Sequence, residues 1–178
     1  ILVMLSGIFL ANYHFGNDIR NLTDASHIVS QEIRGVQGLV LAQTDMPFIC
    51  GAGAPQSYGI YFEKDKNFVD LFVDKNGDDQ YNLSVADCSC DPVTGDECFK
   101  RKYFKPSIKI SDIKVDTGLP SEFSEDGLWI NFFLSDLSTK IYGGNYQTIE
   151  VDICIKSDCT VANTKKITIN NKGMVEIE

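Results

Sequence analysis

Histidine and tryptophan are scarce in this 178-residue chain, which has two of the first and one of the second. Both histidines, His14 and His27, fall in the helical stretch described below, so neither is placed to act as a base in the rest of the chain. No nucleophile motif is visible either, and an enzyme is not expected. Positive charge is also short: 16 Lys and Arg stand against 25 Asp and Glu, a formal charge of −9. That balance opposes nonspecific attraction to phosphate backbones or anionic lipid, which makes nucleic acid a disfavoured partner. None of the six cysteines (Cys50, Cys88, Cys90, Cys98, Cys154, Cys159) has the paired CxxC spacing of a zinc site, and Cys88-Ser89-Cys90 is too tight for a zinc knuckle. They read as disulfides formed outside the cytosol. No internal repeat or low-complexity tract is present. The apolar run from Ile1 to Ala11 falls short of the about 20 residues that span a bilayer. No Met or basic residue precedes it, so it does not read as a signal peptide, and the chain is expected to start inside a longer hydrophobic helix.

Residues 1–17, ILVMLSGIFLANYHFGN, carry no charged side chain before Asp18. Ile19, Leu22, Val29, Ile33, Val36 and Val40 then recur at helical steps, while Arg20, Asp24, Glu32 and Arg34 fall on the opposite face. One helix from residue 1 to about 43 is predicted, with a weak point at Ser6-Gly7. At about 1.5 Å per residue it would be roughly 65 Å long, more than the width of a small domain, so part of it must project.

After Thr44 the texture changes. Residues 45–56, DMPFICGAGAPQ, combine two prolines and two glycines and read as a turn-rich linker. Short aromatic and β-branched runs follow, and strands are predicted at 57–63, 67–73, 81–86, 107–115, 127–134, 147–156, 164–170 and 173–178. Lys64-Asp65-Lys66 joins the first two as a hairpin, and Asn171-Lys172-Gly173 is a tight-turn signal for the last two. The predicted fold class is α+β: an N-terminal helix (1–44) packed on an antiparallel β-sheet domain (45–178), with room for one compact core. Trp129 and Phe132-Phe133 lie in an alternating strand and are predicted to be core.

The run Asp74-Lys75-Asn76-Gly77-Asp78-Asp79-Gln80-Tyr81-Asn82 places oxygen ligands at alternate positions. Asp74, Asn76 and Asp78, with a backbone carbonyl around Gln80, are how EF-hand-like loops surround calcium. The pattern departs from a full EF-hand, because Val85 stands where a bidentate glutamate would be and the glycine falls two places early, at Gly77. Asp87 or Asp70 could complete a site if the fold brings it round. The same residues also make a good turn with solvated carboxylates. Calcium is the one cofactor the sequence suggests.

Cys154 and Cys159 flank Ile-Lys-Ser-Asp in an evident turn and are expected to pair. Three pairings of Cys50, Cys88, Cys90 and Cys98 are arithmetically possible, of which Cys90 with Cys98 and Cys50 with Cys88 is preferred.

A long helix with an apolar start, followed by an extracytoplasmic, disulfide-bearing β domain, is the layout of type IV pilins and type II secretion pseudopilins. ILVMLSGIFLANY resembles the middle of the pilin N-terminal helix. SYGIYFE followed by NFVDLFVDKNGDDQYN resembles the first β-hairpin region of FimT/GspH-type minor pilins, and WINFFLSDL and KKITINNKGMVEIE resemble their later strands and terminal hairpin. The prepilin peptidase site, the glutamate after it and the helix-breaking proline of many pilins are not in this sequence, and Ser6-Gly7 occupies the proline's neighbourhood.

The resemblance implies a pilin fold and a structural subunit that polymerises through its hydrophobic helix. It makes Leu5, Gly7, Phe9, Leu10 and Gly16 residues of the filament helix, with Gly7, Ala11 and Gly16 allowing close approach. The implied partners are other pilin subunits, in a homo- or heteropolymer, together with the inner membrane before assembly and the pilus assembly machinery. The implied location is an extracellular filament on a prokaryotic cell surface, with a membrane-embedded pool before assembly. A tip-located adhesin or DNA receptor, a secretion pseudopilin, and an anchored domain that never polymerises are the alternatives. For a DNA receptor the candidate patch is Lys100-Arg101-Lys102, followed by Tyr103, Phe104 and Lys105; the same cluster also reads as a solvated loop. The sequons at Asn21 and Asn82 would matter only in a eukaryotic secretory pathway, which the resemblance argues against.

Overall fold

The N-terminal helix, α1, runs unbroken from Leu2 to Leu41 in the computed structural model, which describes residues 2–42, 55–82, 88, 97–116, 123–124, 126–133, 138–141 and 146–178. It is continuous through Ser6-Gly7, and the Ala42 N–H closes its last turn on the Gly38 carbonyl at 2.9 Å. Leu22, Ala25, Val29, Ile33, Val36 and Val40 are all buried, each such aliphatic side chain contributing about 1.5–3 kcal/mol. Ile19, the first member of the predicted stripe, departs from it at 40% exposure, and among the described residues of the helix Leu22 is the first that is buried.

Ten strands follow among the described residues: β1 (Ser57–Glu63), β2 (Phe68–Asp74), β3 (Cys98–Tyr103), β4 (Ile108–Asp116), β5 (Phe123–Ser124), β6 (Gly127–Phe133), β7 (Thr139–Ile141), β8 (Thr148–Ile155), β9 (Thr164–Asn170) and β10 (Val175–Ile177). They form two five-stranded sheets, in the orders β3-β2-β1-β6-β7 and β10-β9-β8-β4-β5, which is the expected α+β arrangement of a helix on an antiparallel β domain. Each paired strand described is antiparallel to its neighbour.

The helix lies over both sheets, touching β1 and β6 of the first and β4, β8 and β9 of the second. Strand alternation supplies the rest of the core. Ile60 stands between Leu71 and Ile130 in the first sheet, and Val151 lies opposite Ile167 in the second. Two polar clamps fasten the helix at its upper half. Lys100 Nζ meets Glu32 Oε2 at 2.7 Å, and Gln37 Nε2 donates to the Gly173 carbonyl at 2.5 Å. Gly173 turns the β9–β10 hairpin at φ +75°, where a Cβ would come within 2.4 Å of the same Gln37 nitrogen.

The two predicted hairpins are present, with Asp65 in the left-handed region (φ 64°) of the first turn. The prediction of a strand at 81–86 fails where it can be seen, since Tyr81 and Asn82 belong to no strand and residues 83–86 lie outside the described ones. Strand β3 is a correction in the other direction. CFKRKY has too much charge to read as a strand, yet its charges find partners, Glu32 for Lys100 and Asp70 for Arg101.

The disulfides correct one expectation. Cys88 is bonded to Cys98, not to Cys50, and Cys98 is therefore not the partner of Cys90. Cys154 is bonded to Cys159 across its turn. Cys50 and Cys90, like the linker at 45–54, lie outside the described residues.

Candidate functional site

The first sheet has a second covered face. Residues of β1, β2 and β6 that point away from the helix include the buried Phe72 and Phe133, the half-buried Tyr61 and Trp129, and the polar Asp70, Asp74 and Asn131. Gly59 makes room for this layer. A Cβ there would lie 2.2 Å from the Phe72 ring, which crosses over it.

The loop after β2, residues 75–82, folds back over this face. Tyr81 stacks on Tyr61 with ring centres 4.4 Å apart and leans on Phe72 at 5.0 Å. The Asp79 carbonyl accepts from both Trp129 Nε1 (2.9 Å) and Asn131 Nδ2 (3.0 Å), and its carboxylate meets Lys140 Nζ at 3.0 Å. These bonds hold Asp79 at φ +62°, a conformation that costs an L-residue roughly 1–2 kcal/mol, although aspartate tolerates it better than most. Trp129, predicted to be core, is thus only partly buried and serves as an anchor for the loop.

Within the loop the predicted ligands converge. The Asp74 carboxylate, 0% exposed, accepts from the Gly77 N–H at 2.7 Å, the Asp79 N–H at 3.2 Å and the Ser57 hydroxyl at 3.4 Å. Asn76 Oδ1 accepts from the Asp78 N–H, Asn76 Nδ2 donates to Asp78 Oδ2, and the Gln80 N–H donates to Asp78 Oδ1. Asn82 Nδ2 also reaches the Asp78 carboxylate, at 3.1 Å. Asp74, Asn76 and Asp78 therefore share one turn, with Gln80 entering through its backbone.

Glu97 is the residue that sequence reasoning missed. It stands just before β3 and is 2% exposed, and it binds the two ends of the loop by accepting from the Lys75 N–H at 3.1 Å and the Asn82 N–H at 3.2 Å. Nothing in the local pattern of a lone glutamate beside Cys98 points to a loop so far upstream in the chain. Burial raises the proton affinity of both Asp74 and Glu97, and the negative charges of Asp78 and Asp79 add to the effect at Asp74, those of Asp74 and Asp78 at Glu97. At Asp78 burial pushes the same way but is outweighed by hydrogen bonds from Gln80, Asn82 and Asn76, so its pKa is lowered. Buried carboxylates this close repel one another when ionised.

Asp70, considered as a completing ligand, is committed elsewhere. It is fully buried, with Arg101 Nε at 2.6 Å and Nη2 at 2.8 Å, and it also accepts from the Tyr81 hydroxyl at 2.8 Å. Arg101 in turn lies over the Phe68 ring at 4.0 Å. Asp70, Cys88 and Cys98 bring a carboxylate oxygen and two sulfurs within 4.8 Å of one another, but both sulfurs are spent in the disulfide. Asp87 and Val85 lie outside the described residues. Two residues of the basic patch are likewise engaged, Arg101 with Asp70 and Lys100 with Glu32, and residues 100–103 belong to strand β3, which corrects the reading of a solvated loop.

These are oxygen donors of the kind a hard cation takes, and the Asp74, Asp78 and Glu97 oxygens are not gathered within 4.8 Å of one another in this arrangement. Calcium takes six to eight oxygens at about 2.3–2.6 Å, and carboxylates have lone pairs to spare beyond the N–H donors they accept. Asp74, Asp78 and Glu97 supply acidic oxygens, and the Asn76 and Asn82 amides can turn their oxygens inward.

The helix supplies the second functional feature. Its first buried residue among those described is Leu22, although the helix begins at Leu2. Tyr13 is 74% exposed, and Gly16 and Asn17 are exposed. From Leu2 to Leu22 the helix rises about 30 Å, at 1.5 Å per residue. His27, predicted on the helix surface, is exposed.

A comparison with solved structures finds the crystal structure of the type IV minor pilin FimU of Pseudomonas aeruginosa strain PAO1. The TM-score is 0.48 and the identity 12%, over 89% of this chain and 89% of that one. No protein-family model matches the sequence, and no curated protein does.

Proposed function

We propose that this chain is a structural subunit of a type IV pilus-like filament, assembled through the projecting half of α1. One observation carries the reading. Leu22 is the first buried residue among those described on the helix, Tyr13, Gly16 and Asn17 are exposed, and the uncharged run of residues 1–17 lies upstream of it. An apolar helix without a domain against it needs hydrocarbon or other helices, and the sequence resemblance to pilins supplies both in turn: a membrane-held pool, then a filament core. Among the described residues no helix is long and apolar enough to cross a membrane. The reading places the protein on the surface of a prokaryotic cell with other pilin subunits as partners.

Changing Leu10 to Lys should abolish assembly in cells, as seen by electron microscopy, while the melting curve of the β domain stays unchanged. Filaments of normal length and number in that variant would refute the proposal. A tip-located DNA receptor is the weaker reading, because the basic run it needs is engaged by Asp70 and Glu32.

We also propose that the 74–82 loop holds calcium, with Asp74, Asn76 and Asp78 as side-chain ligands, the Gln80 carbonyl and Glu97. The support is the delivery of Glu97 to both ends of the loop, which adds the acidic group that the loop's own sequence lacks. Calcium there would relieve carboxylate repulsion and stiffen the loop over the outer sheet face. The affinity expected is that of extracellular modules, about 10⁻⁴–10⁻³ M.

A further inference from the structure

The C-terminal end of α1, the β9–β10 turn and the β6–β7 edge enclose an open groove of about 480 Å³. Its apolar lining includes Val40, Leu41, Phe132 and Met174, of which Leu41 and Met174 are each 67% exposed. Among the described residues its charged lining is Arg34 and Lys172. In a chain with nine more acidic than basic residues this composition stands out. Two copies each carry net negative charge, and among its described residues this groove combines apolar area with positive charge.

The complementary surface is on the same helix. Just below the domain, Asp18 is the first charged residue of the chain, and it is followed by Ile19, a large apolar side chain left 40% exposed. From Ile19 to Gln37 the helix rises about 27 Å, so one copy cannot bring the two surfaces together. Surfaces that match but do not coincide join head to tail, and such joining continues as an open helical array unless the rotation closes a ring.

We infer that the groove receives the Asp18–Ile19 stretch of a second copy of this chain, with Asp18 between Arg34 and Lys172 and Ile19 against Leu41 and Met174. This inference rests on the filament reading and names the surfaces that set the subunits' order.

The test uses the full chain carrying both Ile19→Cys and Met174→Cys, exposed to diamide in cells, alongside each single variant. The double variant should give a ladder of covalent multimers on non-reducing gels, and the single variants none. Adding Arg34→Glu and Lys172→Glu should lower multimer yield by about tenfold or more, and adding Asp18→Lys to that background should recover it. Electron microscopy of the same cells separates the two claims. Filaments without a ladder would overturn the groove assignment and leave the filament reading standing. A ladder without filaments would uphold the groove and overturn the filament. Disulfide dimers of the Met174→Cys single variant would show the groove facing itself, which also overturns the assignment.

Discussion

Asp74 and Glu97 are carboxyl groups that burial makes reluctant to ionise. Each holds its proton to a higher pH in the native chain than in the unfolded one. Their stabilising contribution is therefore complete below the ordinary carboxylate pKa and is lost as pH rises through the raised native values. Asp78, whose pKa is lowered, acts in the opposite sense: its contribution is present at higher pH and is lost as pH falls through its native value. The proposed calcium would bind the ionised forms. In excess chelator the melting temperature should fall as pH rises from about 4 through the raised range, and millimolar calcium should remove most of that fall. At one millimolar calcium and a Kd of about 10⁻⁴–10⁻³ M the gain is about 0.4–1.4 kcal/mol near neutral pH, and it should vanish in acid. Asp152, on the outer face of the second sheet, is also raised by burial, but it adds the same slope with and without calcium, so the difference isolates the loop. An unchanged midpoint, or an equal shift after Asp74 and Asp78 are both changed to Asn, would reduce the loop to a turn. A second residue-scale prediction concerns Asp70. Its pairing with Arg101 is buried on both sides, so Arg101→Leu alone should cost about 3–5 kcal/mol in urea unfolding by leaving a buried charge unpaired. The double change Asp70→Leu with Arg101→Leu should cost less than the single one.

Elements announced themselves in proportion to how local their causes are. The stripe from Leu22 to Val40 and the hairpins at 57–74 and 164–177 were readable because a helix face and a tight turn are encoded within a few residues. Strand β3 was not, because what makes CFKRKY a strand is a partner in β2 and two acids from elsewhere in the chain, Asp70 and Glu32. The division into two sheets was hidden for the same reason, since pattern reveals which residues alternate but not which strands pair. Three of the loop's ligands could be read as a motif, whereas Glu97 arrives from a segment whose only local cue is its own charge. Disulfide connectivity belongs with the nonlocal features. Peptide mapping without reduction should recover the bridges Cys88–Cys98 and Cys154–Cys159. With those four thiols committed, full oxidation leaves Cys50 to pair with Cys90, and recovery of a Cys50–Cys88 peptide would contradict this assignment.

At the scale of the whole molecule, the part that folds and the part proposed to assemble overlap only along α1. A chain from which residues 1–17 are deleted keeps the buried stripe, both clamps and both sheets, so it should melt within about 0.5 kcal/mol of the full chain and form no filaments. Failure of that fragment to fold would mean that the projecting half contributes to the domain's core. The arrangement also has a mechanical consequence. Leu22 to Val40 run lengthwise beneath the two sheets, and the Glu32–Lys100 and Gln37–Gly173 clamps lie toward the far end. A tug on the lower helix acts parallel to the axis and loads all of these rungs in shear at once, so the globular head cannot be peeled from its stalk one contact at a time.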